Sequence, residues 1–137
     1  MRTKKTSPAA VDKLAAKIGK LKPEARRTVL KLYWDIGALL ARQYGRRYGE
    51  NQLGMLAAEL GWCRSMLHCS LRFHELWPTP EDLARVTRRG LSFSHIRALL
   101  HKNLTARERE AFERYVEKER PNVRELWTKV RRLVGKR

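Results

Sequence analysis

The chain has 137 residues, with 31 Lys and Arg against 14 Asp and Glu, a formal net charge of +17. That length suits one domain with a real core, and the charge exceeds what solubility asks for, so a polyanionic partner is expected, nucleic acid first and an anionic membrane surface second. No apolar run reaches spanning length, Met1–Lys22 has no apolar leader core, and no helix is basic on one side and strongly apolar on the other; a cytoplasmic, nucleoid-associated protein without a membrane partner is the expectation.

Met1–Ser7 reads as a basic tail whose Lys4 and Lys5 either touch phosphates or are merely solvated. Ser7-Pro8 has the form of an N-cap and first helical position. Val11, Leu14, Ala15 and Ile18 then make a helical stripe in a short helix that contains Gly19. Pro23 opens a second and longer helix. There Val29, Leu32, Tyr33, Ile36, Leu39, Leu40 and Gln43 keep helical period up to Gly45, a C-terminal cap. Gly37 lies inside it at a cost of about 1 kcal/mol against Ala, which a close helix crossing would explain. Tyr44–Tyr48 reads as a basic loop from which Arg46 and Arg47 reach a nucleic-acid backbone.

Residues 53–75 have the pattern of a helix-turn-helix. Leu53, Leu56, Ala57 and Leu60 form one apolar stripe, Gly61 suits a tight turn between crossing helices, and Trp62 would tuck between them. A second helix starts near Arg64, with Leu67 and Leu71 inward and Ala57 small at the crossing. Its remaining face is Arg64, Ser65, His68, Cys69 and Arg72, with no acid between Arg64 and His74. Such a face can offer Arg to guanine edges and Ser or His to bases or phosphates in the major groove. The plain alternative is a helical hairpin with a solvated basic face. Cys63 and Cys69 lie six residues apart on one helix, roughly 9 Å along its axis, and are expected to be free thiols.

Downstream, Thr79-Pro80-Glu81-Asp82 is a helix start with cap, proline and acids in place. That helix ends at Arg88 and Arg89 before Gly90. Ser94 is expected to cap a helix burying Ile96, Leu99 and Leu100, with His95 and Arg97 outward. Thr105 and Glu108 form a capping box. It opens a helix burying Ala111, Phe112, Tyr115 and Val116, with the acids of Glu108–Glu119 in a solvated i, i+4 network. Asn122 restarts the chain for a last helix with Val123, Leu126, Trp127, Val130 and Leu133 inside. No stretch alternates with period two. The expected fold is all-α: about eight helices in a single bundle over residues 8–134, between a basic tail at 1–7 and a basic end at 135–137.

The chemistry of enzymes finds little here. Cys63, His68, Cys69 and His74 never fall at the i, i+3 or i+4 spacing that puts two ligands on one helix face, so no metal site is expected. No phosphate-cradling glycine loop, nucleophile elbow or convergent carboxylate set stands in the chain, and neither catalysis nor a cofactor is expected.

Leu56-Ala57-Ala58-Glu59-Leu60-Gly61, Arg64-Ser65, Leu71-Arg72, the run Leu91-Ser92-Phe93-Ser94-His95-Ile96-Arg97-Ala98-Leu99-Leu100 and Val123-Arg124-Glu125-Leu126 together resemble the central DNA-binding domain of the ParB/KorB partition proteins. This covers residues 53–134. The upstream Leu32-Tyr33-Trp34-Asp35-Ile36-Gly37 is similar instead to the N-terminal domain of a bacterial family whose C-terminal half is a PD-(D/E)XK-type nuclease. There a Tyr-Trp-x-Ile-Gly helix precedes a helix-turn-helix and a Trp-Ser-His segment, which reads Phe93-Ser94-His95 here. That resemblance covers residues 29–133. Both imply a helical DNA-binding module of bacterial or mobile-element origin. The nucleotide-binding domain of the first family and the nuclease of the second have no counterpart, so neither a CTP-dependent clamp nor cleavage is implied.

Carried over by position, Arg64, Ser65, His68, Cys69 and Arg72 would read bases. Cys63 stands where such motifs often carry a Ser or Thr cap, so the recognition helix is weakly capped or capped by Ser65. Arg46, Arg47, Arg88, Arg89, His95 and Arg97 are the expected backbone contacts. The expected function is sequence-specific binding of double-stranded DNA, as a transcription regulator or the targeting subunit of a mobile-element or defence system. The alternatives are a non-specific nucleic-acid binder and a protein-interaction adaptor. A homodimer on a palindrome and a recruited effector protein are compatible partners, although no coiled-coil heptads are evident.

Overall fold

Strong helix formers fill the first forty residues, and in the computed structural model, which describes residues 8–44 and 50–136, they run as one helix, α1 (Pro8–Tyr44). The two helices expected on either side of Pro23 are therefore continuous. An interior proline removes one backbone hydrogen bond and crowds the carbonyl four residues back, here that of Gly19; the helix formers on both sides carry the helix through. Six further helices follow: α2 (Glu50–Leu60), α3 (Arg64–Leu76), α4 (Pro80–Arg88), α5 (Phe93–Leu99), α6 (Ala106–Glu119) and α7 (Val123–Gly135). The described residues thus hold seven helices and no strand, an all-α fold.

Local chemistry sets the boundaries. Gly61 takes φ +68°. Its N–H reaches Ala58 O at 3.3 Å and that of Trp62 reaches Ala57 O at 2.8 Å, which closes the last turn of α2. Thr79, Ser92 and Thr105 cap α4, α5 and α6, each in a capping box, and Asn122 caps α7. The cap of α5 is Ser92 rather than Ser94. Its partner three residues on is His95, whose Nδ1 accepts from the Ser92 N–H at 3.0 Å and does the work usually left to Glu or Gln.

Two apolar clusters hold the helices. The larger joins Leu30 of α1, Phe73 and Trp77 at the end of α3, and Val86, Ile96 and Leu126 from α4, α5 and α7. The smaller joins Leu40, Leu53, Ala57, Leu67 and Leu71 among α1, α2 and α3. Trp34 of α1 donates from Nε1 to the carbonyl of Trp77 at 2.6 Å, and Tyr33 stacks on Phe93 with ring centres 4.0 Å apart. Several residues expected inside lie at the surface. Leu60 is 55% and Leu39 is 61% exposed, Ala111 is exposed, and Trp62 leans toward Tyr33 with its edge open to solvent instead of sealing the α2–α3 junction.

The α1–α3 crossing is so close that Gly37 has no alternative. A Cβ there would run into the carbonyl oxygen of Ser70 and sit 2.8 Å from His74 Cβ. Gly54, inside α2, would meet only Arg64 Cδ at 4.0 Å. Gly37→Ala is therefore expected to destabilise the protein by about 1–3 kcal/mol, although alanine is the better helix former by about 1 kcal/mol. Gly54→Ala is expected to stabilise it slightly. Urea unfolding midpoints of the two variants check this, and the reverse order would show that the crossing is loose.

Candidate nucleic-acid interface

The back of α3 is fixed by Leu67, Ser70, Leu71 and Phe73, all buried. Helical spacing then turns Arg64, Ser65, His68 and Arg72 outward, and the first three are exposed. Arg64 and Ser65 occupy the first turn, next to the α2 turn. Arg72 sits two turns on, half-buried, 3.8 Å from Glu75, an exposed pair of little weight. Cys69 belongs to the other side. It is half-buried and packs against the larger core cluster, because one residue step rotates a helical side chain by about 100° and carries it from the face of His68 toward Phe73. The N-cap position of α3 is Cys63, with no side-chain hydrogen bond, so the leading amides of the helix are left without a side-chain cap.

The expected backbone contacts divide. Arg97 is exposed on α5 and, with Ser94, lines a groove of about 360 Å³ that reaches Met66 of α3. It has no carboxylate partner among the described residues. Arg88 is exposed at the rim of a separate crevice of about 550 Å³ between α1 and α4, which Arg27 and Lys31 also line. Arg46 and Arg47 lie outside the described residues. Arg89 and His95 are engaged inside the protein.

Arg89 serves a buried carboxylate. Glu113 is 2% exposed and accepts from Trp77 Nε1 at 2.9 Å, Arg85 Nε at 3.1 Å and Arg89 at 3.0 Å. Arg85 also pairs with Asp82 at 2.8 Å, and Arg89 with Glu110 at 3.1 Å. These bonds hold both guanidinium groups more firmly protonated than usual. The acids of α6 are thus only partly a solvated network, since Glu113 turns inward to neutralise α4.

His95 is buried rather than outward, and its Nε2 lies 3.0 Å from the Pro121 carbonyl. With Nδ1 accepting from Ser92, the ring is neutral with its proton on Nε2, and it ties the start of α5 to the start of α7. Burial pushes its pKa below the ordinary 6.5; the Pro121 bond opposes this and the charge of Arg26 adds to it.

One residue beside the α3 face escaped the sequence reading. Arg109, near the start of α6, is half-buried with a guanidinium N–H on the Leu104 carbonyl at 2.9 Å. Burial and the nearby charge of Arg72 both lower its pKa. Its capping box places Arg109 on a helix, but nothing local says that this helix returns beside α3.

Among the described residues no helix is long and apolar enough to cross a membrane, and no three His, Cys, Asp or Glu stand close enough to hold a metal ion. No family model, curated protein or solved structure matches the chain.

Two outcomes follow from the buried groups. Glu113→Ala leaves the buried Trp77 indole N–H without its acceptor, while Arg85 and Arg89 keep Asp82 and Glu110, and it is expected to destabilise the protein by about 1–3 kcal/mol, read from chemical denaturation. For His95, whose folded pKa lies below the unfolded one, the unfolded chain binds the extra proton first. Stability is then complete above about pH 6.5 and declines as pH falls toward the folded pKa. A denaturation series from pH 7.5 to 5, compared with His95→Gln, checks this: the variant should start less stable and lose less.

Proposed function

We propose that the chain is a sequence-specific double-stranded DNA-binding protein that reads the major groove with α3. In this reading α2 and α3 are the two helices of a helix-turn-helix. The carrying observation is the outer face of α3, where Arg64, Ser65, His68 and Arg72 share one side with no acid before Glu75, on a chain of net charge +17. At 13 residues α3 is roughly 20 Å long, and a helix of about 10–12 Å diameter fits the major groove. Arg97, which shares a groove with Met66 in the first half of α3, would hold a phosphate beside that helix, and Arg109, near enough to feel the charge of Arg72, would add another. The resemblance of residues 53–134 to partition-protein DNA-binding domains supports the same reading, and a transcription regulator or targeting subunit is the role that fits it.

Phosphate contacts supply most of the affinity in such a complex, and Arg64 and Arg72 supply base discrimination of roughly 1–3 kcal/mol each where the contact is bidentate. Selection of bound duplexes from a random pool should return a sharp motif with the wild-type chain. Arg64→Ala and Arg72→Ala should each relax particular positions of that motif. Arg97→Ala should weaken all duplexes alike and flatten the dependence of binding on salt. Selection that enriches no sequence, with binding that fades as salt rises, would identify a general nucleic-acid binder. Duplex binding untouched by reversing both Arg64 and Arg72 to Glu would point to an adaptor.

A further inference from the structure

The first half of α1 carries an apolar stripe that none of the described residues covers. Val11, Leu14 and Ile18 are 50%, 58% and 48% exposed. The second half continues the stripe with Ala25, Val29 and Leu32, all exposed, and ends on Ile36 and Leu39. Ile36 and Leu39 line an apolar cleft of about 520 Å³, closed on its far side by Leu56, Leu60 and Trp62. The stripe cannot fold back into this cleft. Both lie on one continuous helix, and from Ile18 to Ile36 is roughly 27 Å along its axis.

The spacing of the stripe is its own mirror image. Read antiparallel about Ala25, Val11 falls opposite Leu39, Leu14 opposite Ile36, and Ile18 opposite Leu32. Leu21, whose side chain is outside those described, falls opposite Val29, and Ala25 meets itself. Val11, Ile18, Ala25, Leu32 and Leu39 follow one another at seven-residue intervals. That heptad is invisible while Pro23 is read as a helix boundary. The same register sets Glu24 of one helix beside Arg26 of the other, so opposite charges flank the centre twice.

We propose that two copies of this chain associate through antiparallel α1 helices about a two-fold axis at Ala25. Val11 and Leu14 of each copy seat against Leu39 and Ile36 at the other's α1–α2 cleft. A face that maps onto itself in this way is what an isologous dimer requires. The small side chain at the axis allows the close interaxial approach of about 8–10 Å typical of packed helices. None of Arg64, Ser65, His68 and Arg72 lines the cleft, and the dimer needs no nucleic acid to form; its centre at Ala25 and Val29 borders the groove of Arg97.

Sedimentation equilibrium of the 137-residue chain without DNA, at an ionic strength of about 0.15 M to screen its charge, tests this. The wild type should sediment at twice 16.1 kDa. Leu14→Asp and Leu39→Asp should each weaken association by about a hundredfold or more with unchanged helical circular dichroism. Arg64→Ala and Arg72→Ala should leave it unchanged, which separates this dimer from the DNA reading. Orientation is read in a background with Cys63→Ser and Cys69→Ala. Mixed chains carrying Val11→Cys and Leu39→Cys should form a disulfide with each other under mild oxidation, and neither should link to itself. A monomer at every concentration, a dimer indifferent to both Asp substitutions, or self-linking of the Val11→Cys chain would overturn the proposal. The cross-link remains decisive if an Asp variant fails to fold.

Discussion

The position of α3 depends on one steric fact, the absence of a side chain at Gly37. Because the helices meet backbone against backbone there, the carbonyl of Ser70 can rest on α1, and α3 is pressed along the second half of that helix. Everything outward on α3 follows from what is inward. With Ser70 on the crossing and Leu67 and Leu71 in the smaller cluster, Arg64, Ser65, His68 and Arg72 are turned to the outer side of the helix. A larger residue at position 37 would have to push α3 outward, and the turn at Gly61 would carry α2 with it.

The end of α3 is held by a different means. Trp77 closes the helix and is 2% exposed. Its carbonyl takes the indole N–H of Trp34 and its own indole N–H goes to Glu113. One residue thus connects α1 to α6 through polar bonds inside an apolar cluster, where each bond is stronger than in water and each broken one is costly. Glu113 has a second effect. Together with Asp82 and Glu110 it engages Arg85 and Arg89, so several of the chain's 14 acids are spent on α4 and α6. On the outer face of α3, Arg72 has a carboxylate, Glu75, at 3.8 Å. The charge asymmetry is therefore built by the interior: acids are drawn to the core-facing side of α4 and α6, and the cations of α3 and α5 are left to the solvent field.

What could be read from the sequence was what is local. The turn at Gly61, the caps at Thr79 and Thr105, the restart of the chain at Asn122 and the all-helical periodicity have all their partners within about five residues, and the structure has them where the pattern puts them. Several of the errors share a cause, a deciding partner distant in sequence, whereas the cap of α5 is a local choice between Ser92 and Ser94. His95 looks like an exposed residue after a Ser cap until the carbonyl of Pro121 is beside it. Arg89 looks like a helix-ending cation until Glu110 and Glu113 arrive from the next helix but one. Cys69 is a phase error of one residue, since its neighbour His68 is outward and only the packing of α3 on the larger cluster decides which of the two turns in. At Pro23 a local rule gave the wrong boundary, and with it hid the register of α1.

The distribution of uncovered apolar surface is as lopsided as the charge. Among the described residues the large exposed hydrophobic side chains are Val11, Leu14 and Ile18, then Val29, Leu32 and Leu39, and finally Met55, Leu60 and Trp62. All precede Arg64. Scattered apolar residues on a surface mean little, but random scatter would not spare α3 to α7 while loading α1 and α2. The C-terminal helices close a core around Val86, Ile96, Leu126 and Val130, to which α1 adds Leu30. The N-terminal helices finish on the cleft between α1 and α2, a core with one wall missing. A chain of net charge +17 repels copies of itself at low salt, so contiguous apolar surface is the feature able to hold two of them together. The division of labour is then spatial. Apolar surface gathers along α1 and cations gather around α3, and the two meet at the groove that Ala25 and Val29 share with Arg97.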